Sequence, residues 1–185
     1  MLVAITGASG IDLAIKLLET LREKKIKTEL IISKNAEKII SVETDYIISD
    51  IRKLAKKNYD ANDLLAPPAS GSHKEDSMIV IPCSMKSLSA IANGYANNLI
   101  TRAADVMIKE KRKLILVVRE TPFNVIHLEN MLKLAKLGVV IFPPIPSYYI
   151  KPKTVEELTE FTVGRILDHI GIDSGIKRWG DINER

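Results

Sequence analysis

Glycines, hydroxyls and cations recur at a few points of this sequence, each directly after an apolar run. Met78 to Ile81 is followed by Pro82 and then by Cys83-Ser84-Met85-Lys86-Ser87; Leu2 to Thr6 runs into Gly7-Ala8-Ser9-Gly10. A buried strand that ends in a turn and opens a helix brings hydroxyls, fresh backbone N–H groups and a lysine to one point. That combination suits a phosphate. Two such junctions in a short chain imply one extended phosphorylated ligand lying across both.

The residues around these junctions narrow the chemistry. A dinucleotide fingerprint needs a third glycine and an acidic residue after the second strand to hold a ribose. Here Ala14 stands near the first place and Ser33-Lys34 occupies the second. A hydroxyl and a cation there favour phosphate, so NAD binding is not expected. Taken singly, Ser84, Ser87 and Lys86 read as helix-start and surface residues, and only their position at a strand end makes them a site. Arg119-Glu120 also follows an apolar strand; adjacent side chains of extended chain face opposite ways, so one can hold a phosphate while the other faces the chemistry. Cys83 reads as a packed small hydrophobe. Arg102, Asp105 and Lys109 share one helix at pairing distance, and Arg112 reads as a solvated charge. Tyr148-Tyr149 follows a proline-rich turn at a strand's carboxyl end and reads equally as rim packing or as part of the site. His73, His127 and His169 are scattered, with neither metal-ligand spacing nor a Ser-His-Asp set; His127 reads as a helix-start residue.

These residues need elements to position them. Ile11, Ala14, Ile15, Leu18 and Leu21 have helical spacing after Gly10; Ser9 with Asp12 resembles a capping box. Strands are expected at Ile26 to Ile32, Met78 to Ile81, Leu114 to Val118 and Val139 to Phe142. Helices are expected from Ser33 to about Ile40, Ser84 to Ala92, Asn98 to Glu110, His127 to Leu137 and Thr154 to about Ile170, with a short charged helix at Ile51 to Lys57. Leu65 to Ser72 is loop chemistry. Strands alternating with helices predict an α/β protein: a doubly wound, mostly parallel sheet in a three-layer sandwich, with ligands beyond the carboxyl ends of the strands.

With 185 residues, the chain is expected to form a single domain over 1–185, with 173–185 as a polar C-terminal tail able to reach a neighbouring subunit. A net charge of +4 permits an anionic ligand, but no dense basic block interleaved with aromatics points to nucleic acid. No apolar run approaches a membrane span, and no signal segment is expected. One cysteine fits a reducing cytoplasm.

Several motifs occur together: GASG at Gly7 to Gly10, SK at Ser33-Lys34, VETD at Val42 to Asp45, ASGS at Ala69 to Ser72 and PCSMKSL at Pro82 to Leu88. TRAADV follows at Thr101 to Val106, KEKR at Lys109 to Arg112, VRETP at Val118 to Pro122 and HLENM at His127 to Met131. PPIPSYY at Pro143 to Tyr149 and VGRILD at Val163 to Asp168 complete the set. In order and spacing, over nearly the whole chain, they resemble the UbiX-type flavin prenyltransferases. The resemblance implies a Rossmann-like, flavodoxin-like fold and a homododecamer with sites between subunits. It implies synthesis of prenylated FMN from reduced FMN and dimethylallyl phosphate, without a metal, for a UbiD-type decarboxylase. By position it assigns FMN to Gly7, Ala8, Ser9, Ser33, Ser84, Met85, Lys86, Ser87 and Arg119. It assigns the prenyl phosphate to Tyr149 and Arg165, with Lys109 and Arg102, and the transfer chemistry to Ser9, Glu43, Lys109 and Glu120. Departures are Leu13-Ala14, where relatives carry an aromatic and a glycine, and Ser147, where alanine is usual. Asp76-Ser77 likewise replaces a more typical glycine. Two alternatives remain: a flavin-dependent decarboxylase of a cysteine-derived substrate, whose catalytic His has no good match here, and a non-catalytic flavin carrier.

Overall fold

Continuous apolar runs bounded by polar turns form the strands, and in the computed structural model of the chain, which describes residues 1–180, they pair in parallel. The strands are β1 (Leu2–Ile5), β2 (Glu29–Ile32), β3 (Lys57–Asp60), β4 (Ser77–Cys83), β5 (Lys113–Val118) and β6 (Val140–Ile141). Their order is β3-β2-β1-β4-β5-β6, all neighbours parallel. Strands β1 and β4 are buried along their length, as expected where both faces are covered. The order reverses between β1 and β4, and the carboxyl ends there form the switch point at which such sheets bind ligands.

The helices are α1 (Ile11–Glu23), α2 (Lys34–Glu43), α3 (Ile48–Lys53), α4 (Met85–Ala92), α5 (Leu99–Lys109), α6 (Val125–Lys136) and α7 (Val155–Asp168). The chain divides into two compact units, Met1–Pro143 and Pro144–Arg185. In the first, Leu2, Ala4, Met78, Val80, Leu114 and Leu116 share one core with residues of α4, α5 and α6, including Leu88, Ile100, Ala104 and Leu134. Val3, Ile5, Ile79 and Val117 have the alternate parity and are buried on the other face, where α1 is a neighbour of β4. The second unit holds a short 3-10 turn at Tyr148–Ile150, α7, and the chain that follows it.

Several expectations need correction. The short charged helix falls earlier, at Ile48–Lys53, and Lys57 belongs to β3, an edge strand too polar for apolar patterning to reveal. Pro82 does not stop β4: the strand continues to Cys83, and a register shift between Val80 and Cys83 takes up a residue that cannot donate to the ladder. Ser9 does not cap α1; Gly10 is the cap, at φ 99°, a left-handed conformation that glycine adopts without strain. Arg112 is not merely solvated, since its guanidinium donates to the carbonyls of Gly71 and His73 and ties down the long loop. His127 does sit at a helix start, in a reciprocal box with Asn124. Residues 181–185 of the expected tail lie outside the described residues.

Candidate active site

Thr6 ties the two central strand ends together. Its hydroxyl donates to the Pro82 carbonyl (2.7 Å) and accepts from the Ser84 N–H (2.9 Å). Thr6 is 2% exposed, so this link between the turn after β1 and the turn after β4 is buried. Immediately above it lies a cavity of about 270 Å³, lined by Gly7, Ser33, Ser84, Lys86, Ser87 and Thr101 among others.

Three helices begin at this cavity. Ser33 caps α2, accepting from the Ala36 N–H (3.1 Å); Ser84 caps α4, accepting from Ser87 (3.3 Å); Asn98 caps α5, accepting from Thr101 (3.0 Å). Ser33, Ser84 and Asn98 all line the cavity, as do Lys34, Asn35, Lys86 and Ile100 just beyond them. A helix leaves its first N–H groups without intrahelical partners and carries partial positive charge at that end. Each cap satisfies one group, and the others, with two lysines and three serine hydroxyls, make a setting for a phosphate. This donor set fits the phosphate end of FMN. Gly7 is required by the packing: a Cβ there would lie 2.6 Å from Asn35 Cβ.

Beside the cavity a second cluster forms around Glu43. Its carboxylate accepts from the N–H groups of Gly10 (2.9 Å) and Ile11 (3.4 Å), capping α1 from the far end of α2. Partial burial pushes the Glu43 carboxyl up, but the Ser9 hydroxyl, these two N–H groups and nearby Arg119 outweigh it and hold the group below the usual range. It is an anion at neutral pH. Arg119 stays at the carboxyl end of β5, its N–H donating to Cys83 (3.1 Å), and the Glu120 carboxylate accepts from the exposed N–H of Thr121. Burial pushes the Cys83 thiol up to about 12, so it is packing.

The first unit thus brings together Gly7, Ser33, Ser84, Lys86 and Ser87 around one cavity, with Ser9, Glu43, Arg119 and Glu120 on the same carboxyl edge. Ala8 lies in the intervening turn, and Met85 packs on the hydrophobic core rather than lining the cavity. Arg102 and Lys109 are not brought to it. Arg102 donates to the Ala69 carbonyl (3.0 Å) and pairs with Asp105 (2.7 Å), while Lys109 pairs with Glu110 at the far end of α5. At a rise of 1.5 Å per residue, Lys109 stands about 12 Å along the helix axis from Thr101. Thr6, Asn35 and Asn98 were not among the residues singled out from sequence. The Asn98-x-x-Thr101 spacing was a readable cap; nothing in the sequence distinguishes Thr6 from the strand it ends.

The second unit holds Tyr149 and Arg165. Tyr149 stands edge-on to Phe161 (5.7 Å between centroids) and to Trp179 (5.0 Å). Arg165 projects from α7, and these residues border a cavity of about 370 Å³ with Asp168, Lys177 and Arg178. At the opposite edge of the sheet from the first cavity, Glu29, His73 and Glu75 gather within 4.8 Å, which spacing alone did not reveal. They already have partners: His73 lies 2.9 Å from Glu29, Tyr59 donates to Glu29, and the amino terminus pairs with Glu75.

A three-layer parallel α/β sheet with a phosphate setting at its switch point defines a flavodoxin-like protein, and the flavoprotein family matches residues 1–167. The chain belongs to that family, and within it to the UbiX-type flavin prenyltransferases. It is 54% identical to the flavin prenyltransferase UbiX of Methanocaldococcus jannaschii, covering 98% of this chain and 99% of the relative. A solved structure of AnUbiX (PadA1) in complex with FMN and dimethylallyl pyrophosphate is 51% identical, with a TM-score of 0.95 over 96% of this chain and 95% of that one. A dodecameric, FMN-dependent UbiX-like protein of Escherichia coli O157:H7 is 46% identical, with a TM-score of 0.93 over 96% of this chain and 97% of that one.

Proposed function

We propose that this chain is a flavin prenyltransferase that joins the dimethylallyl group of dimethylallyl phosphate to reduced FMN, giving prenylated FMN and phosphate. The observation that carries this reading is the convergence of three capped helix N-termini and three serines on one cavity at the β1/β4 switch point, in a chain of this family. Ser33, Ser84, Ser87 and Lys86 hold the FMN phosphate. Reduced FMN supplies the electron-rich ring that receives the prenyl group. Arg165 and Tyr149 hold the donor phosphate, and the cation stabilises charge building there as the allyl C–O bond breaks. Glu120, exposed at the carboxyl end of β5, accepts the ring proton released on closure, or the departing phosphate does so. Ser9, Arg119 and the Glu43 anion lie together on the carboxyl edge that carries the FMN cavity.

The same reading explains Arg102 and Lys109. Facing away from their own chain's cavity, they serve the site of another copy in a homododecamer. Exposed apolar residues on α6 support association: Val125, Leu128 and Leu132 share one helical face and are 67%, 52% and 56% exposed. We further propose that 1–185 acts as one flavoprotein module in the cytoplasm, delivering its product to a UbiD-type decarboxylase. A buried, unreactive cysteine suits that compartment, and among the described residues no helix is long and apolar enough to cross a membrane.

The test is incubation of the protein with reduced FMN and dimethylallyl phosphate under anaerobic conditions. Release of phosphate together with a flavin heavier by one dimethylallyl unit is expected. Recovery of unmodified FMN with no phosphate released would refute the assignment.

A further inference from the structure

The chain beyond α7 turns back along that helix, and two features fix it there. A Cβ at Gly164 would lie 2.3 Å from Ile176 and 2.8 Å from the Ser174 hydroxyl, so 174–176 rests directly on the helix backbone. One helical turn further on, Arg178 takes both oxygens of Asp168, at 2.9 and 3.0 Å. The next residue, Trp179, then meets Tyr149 edge-on. Arg165 lies one turn before Asp168 on α7, yet it reaches that carboxylate only at 3.9 Å.

We infer that Asp168 is a positioning residue for the transfer reaction: its two-point grip on Arg178 sets Trp179 against Tyr149 and leaves the Arg165 guanidinium for the donor phosphate. This rests on the prenyltransferase reading above. Two parallel N–H···O bonds fix a guanidinium in direction as well as place, which a single contact cannot do. Arg178 also acts by occupation, because a carboxylate whose oxygens are engaged competes less for a second guanidinium three residues away. Hydrogen bonds from Arg178, working against partial burial, hold the Asp168 carboxyl below its ordinary range, with Arg165 adding to the effect. The grip therefore persists throughout the neutral range. Its loss has two parts. Without Arg178 the Trp179 end of the arm is released and Asp168 turns to Arg165; without the Asp168 charge that end is loosened, Arg178 keeping Asp173 at 3.7 Å, but Arg165 stays available.

Trp179 is the sole tryptophan of the chain, so its fluorescence reports the arm directly. The experiment compares wild type, Asp168→Asn, Arg178→Gln and Asp168→Glu as full-length proteins. It measures acrylamide quenching of Trp179, FMN affinity, and KM and kcat for dimethylallyl phosphate. Both Asp168→Asn and Arg178→Gln are expected to raise the quenching constant about twofold, since the freed indole loses one shielded edge. Both should leave FMN affinity unchanged and raise KM about tenfold, with Arg178→Gln the more impaired and kcat changed less than KM. Asp168→Glu, which keeps the charge, should restore most of the quenching protection. Quenching unchanged in both variants overturns the inference, and so does raised quenching with an unchanged KM. A wild-type protein that releases no phosphate refutes the functional reading instead, and the quenching comparison alone then decides whether Asp168 holds the arm.

Discussion

Replacing Gly7 with alanine tests the cavity at its tightest point. The added Cβ would stand 2.6 Å from Asn35 Cβ and 3.3 Å from its carbonyl carbon, where ordinary contact begins at 3.4 Å. Asn35 is the second residue of α2, and both it and Ser33 line the cavity. The backbone of α2 must therefore withdraw by roughly 0.8 Å and carry its cap with it, an overpacking cost of about 1–3 kcal/mol. In a chain of this size each kcal/mol corresponds to about 2–4 °C in melting temperature. FMN affinity should fall about tenfold or more, because the helix start and the Ser84 turn no longer meet the same phosphate. Gly10→Ala is the matched control: its φ of 99° strains any side chain, but the nearest atom to a Cβ is Leu13 Cδ1 at 3.7 Å. It should cost about 1 kcal/mol of conformational strain, with less effect on FMN. Urea unfolding followed by circular dichroism gives the first quantity and flavin fluorescence titration the second. If Gly7→Ala bound FMN as tightly as wild type, the placement of the phosphate against the start of α2 would be wrong.

Three further perturbations address separate links. Thr6→Val removes the hydroxyl that joins Pro82 and Ser84 and takes the partner from the half-buried Ser84 N–H, so unfolding stability should drop by about 1–3 kcal/mol; no loss would show that this hydrogen bond is dispensable. Glu43→Gln should cost about 0.3–1 kcal/mol at neutral pH, since it takes an anion from the start of α1. Because the folded Glu43 carboxyl lies below its ordinary value, that contribution is full above the usual glutamate range and is lost as pH falls through the lowered value. The gap between Glu43→Gln and wild type should therefore close on acidification, and a gap that widened would contradict the assignment. Leu132→Asp places a charge in the exposed apolar face of α6. Light scattering should then find species smaller than the twelve copies of a 20.6-kDa chain expected of wild type, and an unchanged mass would remove that face from the interface.

Much of this architecture was readable because β1, β4 and β5 are continuous apolar runs that end in turn residues, and because α1, α4 and α5 keep helical spacing. The cavity residues Gly7, Ser33, Ser84 and Ser87 follow from that pattern, since strand ends and helix starts are where such chemistry collects. What escaped was whatever depends on partners distant in sequence. Lys57 to Asp60 looks polar because an edge strand need bury only Tyr59. Pro82 looks like a terminator, but the neighbouring strands and a register shift carry β4 past it. Ser9 looks like a cap, yet its hydroxyl engages Glu43, which itself reaches Gly10. The resemblance to known prenyltransferases pointed to Glu43 and Arg165 where local pattern was silent, and gave a role to Tyr149, which local pattern had placed only near a site; it could not say that Arg102 and Lys109 turn away from their own chain's cavity.

The carboxylate of Glu43 at the start of α1 also orders events in time. Gly10 has no side chain of its own to hold the first N–H groups, so the helix waits for a residue 33 positions away. Closing a loop of that length costs about 3 kcal/mol of chain entropy. In a nascent chain that has extended only through β2, water alone can meet the first N–H groups of α1. Glu43 replaces that water once the last turn of α2 lies across the start of α1.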